Sequence, residues 1–135
     1  ADSNLAQTID RQPVWVCHAA GADSGAATTL GAVSVPCERA ITGGVDVMSA
    51  LRALTAKGIT RVFCEGGGAL AASLLTAGVV GELVLFQGGK IIGADGTPAI
   101  GGIGLDVLAL APAFDLTEQR GIGGDVMQRW SPNRD

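Results

Sequence analysis

Tyrosine is missing altogether from these 135 residues, histidine occurs once, and three phenylalanines and two tryptophans are the only aromatics. The absent phenol removes one common proton donor. His18, alone and following Cys17 at the end of an apolar run, reads as structural or exposed rather than catalytic. Cys17, Cys37 and Cys64 are odd in number and widely spaced, which argues against a disulfide framework or a zinc site and for buried free thiols. Charge is also sparse. Nine Lys and Arg against thirteen Asp and Glu give a net charge of −4, and their scattered placement leaves no basic stripe for nucleic acid. No apolar run approaches the roughly 18 to 20 residues that span a bilayer, and no charged segment followed by an apolar one opens the chain. The expected setting is soluble and cytoplasmic. Methionine is also missing from position 1, and Asp2-Ser3-Asn4-Leu5 reads like the end of an element, so a processed product or fragment is expected.

What is abundant is Ala and Gly within a chain that is 47% hydrophobic, the composition of a compact α/β protein. At this length a single domain spanning residues 1–135 buries roughly 70% of its unfolded surface. Val14-Trp15-Val16-Cys17 reads as a buried strand and Ala32 to Cys37 as a second, more peripheral one because of Pro36. Between them, Ala19 to Thr29 fits either a short helix or a loop. Val47, Met48, Leu51 and Leu54 keep helical spacing within Val45 to Lys57, with Gly58 as the stop. Ile59 to Cys64 predicts a strand, Gly68 to Ala77 a helix stopped by Gly78, and Glu82 to Gln87 a strand, together a βαβ unit. Gly93 to Gly104 predicts a long loop of the kind that is often functional. Phe114 to Glu118 and Val126 to Trp130 predict a hairpin around Gly121-Ile122-Gly123-Gly124-Asp125.

The richest stretch is Glu65-Gly66-Gly67-Gly68, where an apolar run ends in a carboxylate and three glycines lead into a helix. Free amides at a helix start, aided by the helix dipole, suit an anion such as a nucleotide phosphate. The alternative is a tight turn that needs glycine for its backbone alone, since the spacing matches neither a Walker A loop nor GxGxxG. Glu65 stands where ligands of open α/β sheets bind, and an ionised carboxylate accepts hydrogen bonds from N–H donors or hydroxyls; a dipole interaction with the helix is its alternative. Ser73 reads as a helix-wall residue, Lys90 as a solvated lysine or a phosphate contact, and Trp15 and Trp130 as core or interface aromatics.

Val62-Phe63-Cys64-Glu65-Gly66-Gly67-Gly68-Ala69-Leu70-Ala71-Ala72-Ser73-Leu74-Leu75, then Ala77-Gly78-Val79-Val80-Gly81-Glu82-Leu83 and Lys90-Ile91-Ile92-Gly93-Ala94-Asp95-Gly96, resembles the C-terminal reductase domain of the bifunctional riboflavin-biosynthesis deaminase/reductase. The likeness covers Ile59 to about Gly104 well and the hairpin loosely, and Asp2-Ser3-x-Leu5 resembles a further family segment. It implies a dihydrofolate-reductase-like α/β fold: three layers around a mixed sheet, mostly parallel, with a C-terminal antiparallel hairpin. It also implies NADPH as cofactor, 5-amino-6-(5-phosphoribosylamino)uracil as the substrate whose ribosyl group becomes ribityl, and a homodimer. On this resemblance Ser3, Gly67, Gly68, Ala69, Leu70, Ala71, Ala72 and Ser73 would contact NADPH, and Glu65 the pyrimidine. No covalent nucleophile and no metal are required, because holding the hydride donor against the sugar carbon supplies the rate. A reductase of another substrate and a non-catalytic fragment are the alternatives. The family's Pro-Lys stands here as Gly89-Lys90, and its Val-Asp-Glu-Leu as Val80-Gly81-Glu82-Leu83. Its N-terminal cofactor and phosphate contacts have no counterpart in these residues, so the chain by itself is expected to bind NADPH weakly or not at all until joined to them.

Overall fold

The computed structural model describes residues 7–133, so Ser3 lies outside the described residues. The chain divides into two compact units, Ala1–Phe63 and Cys64–Asp135.

In the first unit, β1 (Trp15–Ala19) and β2 (Val33–Cys37) lie parallel, in register from Trp15 opposite Val33 to Ala19 opposite Cys37. The open question between them resolves into a short helix, α1 (Gly25–Thr29), whose Thr29 hydroxyl donates to the Gly25 carbonyl at 2.8 Å. Pro36 is tolerated because a two-stranded sheet has only edge strands. Ala19, Val35 and Cys37 are the buried residues among those described in this unit. Helix α2 (Val47–Ala56) begins two residues after the expected Val45, because Asp46 caps it: its carboxylate accepts the Ser49 N–H at 2.7 Å. The Ser49 hydroxyl in turn accepts the Glu38 N–H at 2.8 Å, tying the exit of β2 to the first turn of α2. The intervening loop is closed at its base by an Arg39–Val45 bridge and by Asp46 N–H donating to Glu38 O at 2.9 Å. At the far end Gly58 takes φ 88°, the left-handed conformation that stops the helix.

In the second unit, α3 (Gly68–Thr76) is followed by β3 (Leu83–Gln87), the 3₁₀ turns Gly93–Asp95 and Leu108–Leu110, β4 (Phe114–Ile122) and β5 (Asp125–Pro132). The sheet order is β3-β5-β4, with both neighbouring pairs antiparallel. The expected hairpin is present, longer than the sequence reading. Gly123 and Gly124 alone separate its strands, and Gly123 takes φ 61°, the sign a two-residue hairpin turn demands. A bulge sits between Leu116 and Glu118, where the Thr117 hydroxyl donates to Arg129 O at 3.0 Å. Met127, 2% exposed, is buried in this unit together with Ala72 and Leu75 of α3.

Two expectations need correction. Ile59 to Cys64 forms no strand among the described residues, and Val62 and Phe63 are 54% and 82% exposed. An apolar run is extended by preference, but it becomes a strand only when a neighbouring strand takes its N–H and C=O groups, and among the described residues the one backbone partner is Leu54 O, which accepts the Ile59 N–H at 3.2 Å. Consequently β3 is not the second parallel strand of a βαβ unit; it pairs antiparallel with β5. Parallel pairing among the described residues is confined to β1 and β2, so the mixed sheet character expected from the resemblance is realised in two separate pieces.

Candidate functional site

Gly67 is the N-cap of α3, in extended conformation, and no side chain caps the helix. Its carbonyl accepts from Leu70 N–H at 3.0 Å and Ala71 N–H at 3.1 Å. Helix geometry leaves the Gly68 and Ala69 amides, at the very start of the same turn, for an acceptor outside the helix. The three glycines differ sharply in surroundings. A methyl group built on Gly67 meets nothing within 4 Å, whereas one on Gly66 would press on the flexible end of Leu70 at 2.6 Å. One on Gly68 would stand 2.7 Å from the Pro98 carbonyl oxygen and 3.0 Å from the Gly101 nitrogen. Gly67 thus leaves an open approach to the helix start, and Gly68 admits the backbone of a loop.

Glu65 is exposed, and its carboxylate makes no hydrogen bond or ion pair with the described residues. It is therefore available to donors from outside the unit. Of the remaining predicted contacts, Ala69, Leu70 and Ser73 are exposed, Ala71 is half-buried and Ala72 is buried. The Ser73 hydroxyl donates to Ala69 O at 3.0 Å, which makes it the helix-wall residue expected. Lys90 is exposed. The mostly apolar hollow of about 360 Å³ lined by Leu75, Val79, Pro112, Phe114 and Pro132 gathers at the other end of α3 and shares no residue with the glycine turn.

Sequence reasoning missed three features. The Pro98–Gly101 loop lies against Gly68, signalled only by its proline and glycines. Glu82, noted as part of a motif, forms an ion pair with Arg129 at 3.2 Å, and Arg129 also reaches Glu118 at 3.3 Å. His18 ties the two strands of the first unit. Its Nδ1 lies 3.1 Å from Ala19 O, which can only accept, so in the neutral ring Nε2 is left to accept the Ser34 hydroxyl at 2.7 Å. The cysteines are free but not uniformly buried: Cys37 is buried, Cys17 half-buried and Cys64 exposed, the last correcting the expectation. Burial, and then the neighbouring Cys17, pushes the Cys37 thiol up from its ordinary value. Among the described residues no group of His, Cys, Asp and Glu could hold a metal ion, and no helix is long and apolar enough to cross a membrane.

A model of the RibD C-terminal domain matches residues 2–127. The riboflavin biosynthesis protein RibD of Escherichia coli K12 is 36% identical over 84 residues, which are 62% of this chain and 23% of that protein. The protein of the same name from Bacillus amyloliquefaciens is 29% identical over 115 residues, 84% of this chain and 31% of its own. The chain thus spans less than a third of these relatives. Among solved structures, Acinetobacter baumannii RibD superposes with a TM-score of 0.72 at 18% identity, covering 98% of this chain and 35% of that one. A pyrimidine reductase-like protein from Corynebacterium diphtheriae gives 0.71 at 20% identity, covering 90% and 50%. These two likenesses establish the dihydrofolate-reductase-like α/β fold.

Proposed function

We propose that this chain, which belongs to the RibD C-terminal domain family, is the C-terminal portion of an NADPH-dependent reductase domain of riboflavin biosynthesis. Its substrate is 5-amino-6-(5-phosphoribosylamino)uracil, whose ribosyl group is reduced to ribityl. The observation that carries the reading is the open approach at Gly67 beside the two spare amides of Gly68 and Ala69, in a stretch that falls within the family match. A side chain at Gly67 would fill that approach, so the turn fits an anionic dinucleotide.

Gly67, Gly68 and Ala69 would hold the phosphate groups through their backbone. Leu70, Ala71 and Ser73 line the first turns beyond them, Ala72 seats the helix by turning inward, and Ser3 would add a contact. When bound, the reduced nicotinamide supplies hydride to the sugar carbon. This chain contributes orientation, not a nucleophile: the helix start fixes the dinucleotide, while the carboxylate of Glu65 accepts hydrogen bonds from the pyrimidine's N–H donors. A cytoplasmic homodimer belongs to the same reading.

Nicotinamide fluorescence titration tests it, first on this chain and then on a chain extended at its N-terminus by the family's preceding segment. Turnover of the phosphoribosylamino-pyrimidine by the extended chain is the expected result. NADPH oxidation with only another substrate would reassign the reaction, and no NADPH binding in either form would overturn the proposal.

A further inference from the structure

We infer that Gly101, in the loop after β3, is a positioning residue for the cofactor end of the site, an inference that rests on the reading just given. Its N–H donates to the carbonyl of Gly68 at 2.9 Å. That carbonyl and the N–H of Ala69 belong to one rigid peptide plane, in which they point in opposite directions. Fixing the carbonyl therefore aims the Ala69 amide, one of the two left free at the helix start. Drawing a hydrogen bond on the carbonyl side also polarises the same peptide unit and makes its N–H a stronger donor.

The contact is built from two glycines that face one another. A methyl on Gly101 would stand 3.1 Å from Gly68 O, 3.3 Å from Gly68 C and 3.4 Å from Ala69 N, so it would press on that very peptide unit. A methyl on Gly68 meets the same loop from the other side, at Pro98 O and Gly101 N. Gly102, the next residue, meets nothing within 4 Å and has no positive φ, which makes it the matched control. The loop thus acts on the anion site from behind, through the Gly68 carbonyl, and leaves the open face at Gly67 untouched.

Gly101→Ala and Gly102→Ala, made in the N-terminally extended chain, separate this role from plain stability. NADPH affinity is measured well below the melting temperature, and the Ala69 amide resonance is followed in the free chain. Gly101→Ala should weaken NADPH binding about tenfold, the lower end of what one hydrogen bond to a charged group is worth, and shift the Ala69 resonance; Gly102→Ala should do neither. Unchanged affinity or an unmoved Ala69 resonance in Gly101→Ala, or equal weakening in Gly102→Ala, overturns the role. Should Gly101→Ala not fold, amide exchange in the unsubstituted protein decides: NADPH must slow exchange at Gly101 and Ala69, and no slowing refutes the role. An unsubstituted extended chain that does not bind NADPH overturns the functional reading itself, a result distinct from all of these.

Discussion

The carboxylate of Glu82 meets the guanidinium of Arg129 at 3.2 Å, joining the entry of β3 to β5. Arg129 continues to Glu118 at 3.3 Å, and Arg120 approaches Glu118 at 3.6 Å, so the chain of charge crosses the whole three-stranded sheet. All these side chains are over two-fifths exposed, and solvent screening keeps such pairs small. Glu82→Gln should cost at most about 1 kcal/mol. Urea unfolding at low and high salt checks this, and the gap from the unsubstituted chain should close as salt rises.

Gly67 and Gly68 should respond unequally to the same substitution. Gly67→Ala enters open space at φ −69°, and the lower entropy of the unfolded chain opposes the poorer N-cap, so stability should move by no more than about 1 kcal/mol, while NADPH affinity in the extended chain falls. Gly68→Ala must displace the Pro98 carbonyl and should destabilise by about 1–3 kcal/mol. Denaturant midpoints beside NADPH titrations of both variants provide the check.

Met127 and Phe86 face each other in the register of β5 and β3, yet Met127 is 2% exposed and Phe86 is 70% exposed. Burial, not residue size, sets the cost of truncation. Met127→Ala should lose about 2–5 kcal/mol, and Phe86→Ala much less, by thermal or urea unfolding.

The Cys37 thiol titrates higher in the folded chain than its ordinary value of 9.0, so the native state holds that proton more tightly than the unfolded state. Its contribution to stability is therefore whole below 9.0 and falls as pH climbs through the raised value. Cys37→Ala should flatten the alkaline end of the stability profile measured by urea unfolding. In alkylation at neutral pH, exposed Cys64 should label well before buried Cys37.

The sequence exposed those features that depend on neighbours along the chain. Helical spacing at Val47, Met48, Leu51 and Leu54 and the stops at Gly58 and Gly78 gave α2 and α3, and the Gly123-Gly124 pair gave the hairpin. Glu65 was legible as a carboxylate ahead of a helix, but not whether it would cap that helix or stand apart from it. Features that depend on distant partners were not. The run Ile59 to Cys64 has every local mark of a strand, but composition cannot say whether a partner lies alongside. Nor can it distinguish Gly67, which faces open space, from Gly68, which faces a loop thirty residues on. His18 looked idle because Ser34 is sixteen positions away and meets it only when β1 and β2 pair.

The bridge between Arg39 and Val45, with Glu38 held to both Ser49 and Asp46, means that β2 and α2 are fastened to each other below the loop that links them. At its tip Gly43 and Gly44 close back on Ala40, while Thr42 and the fully exposed Ile41 bear none of that fastening. Foreign sequence grafted at Thr42 would hang outside the fastening as a tethered appendage, because lengthening a loop already closed at its base adds little entropy cost.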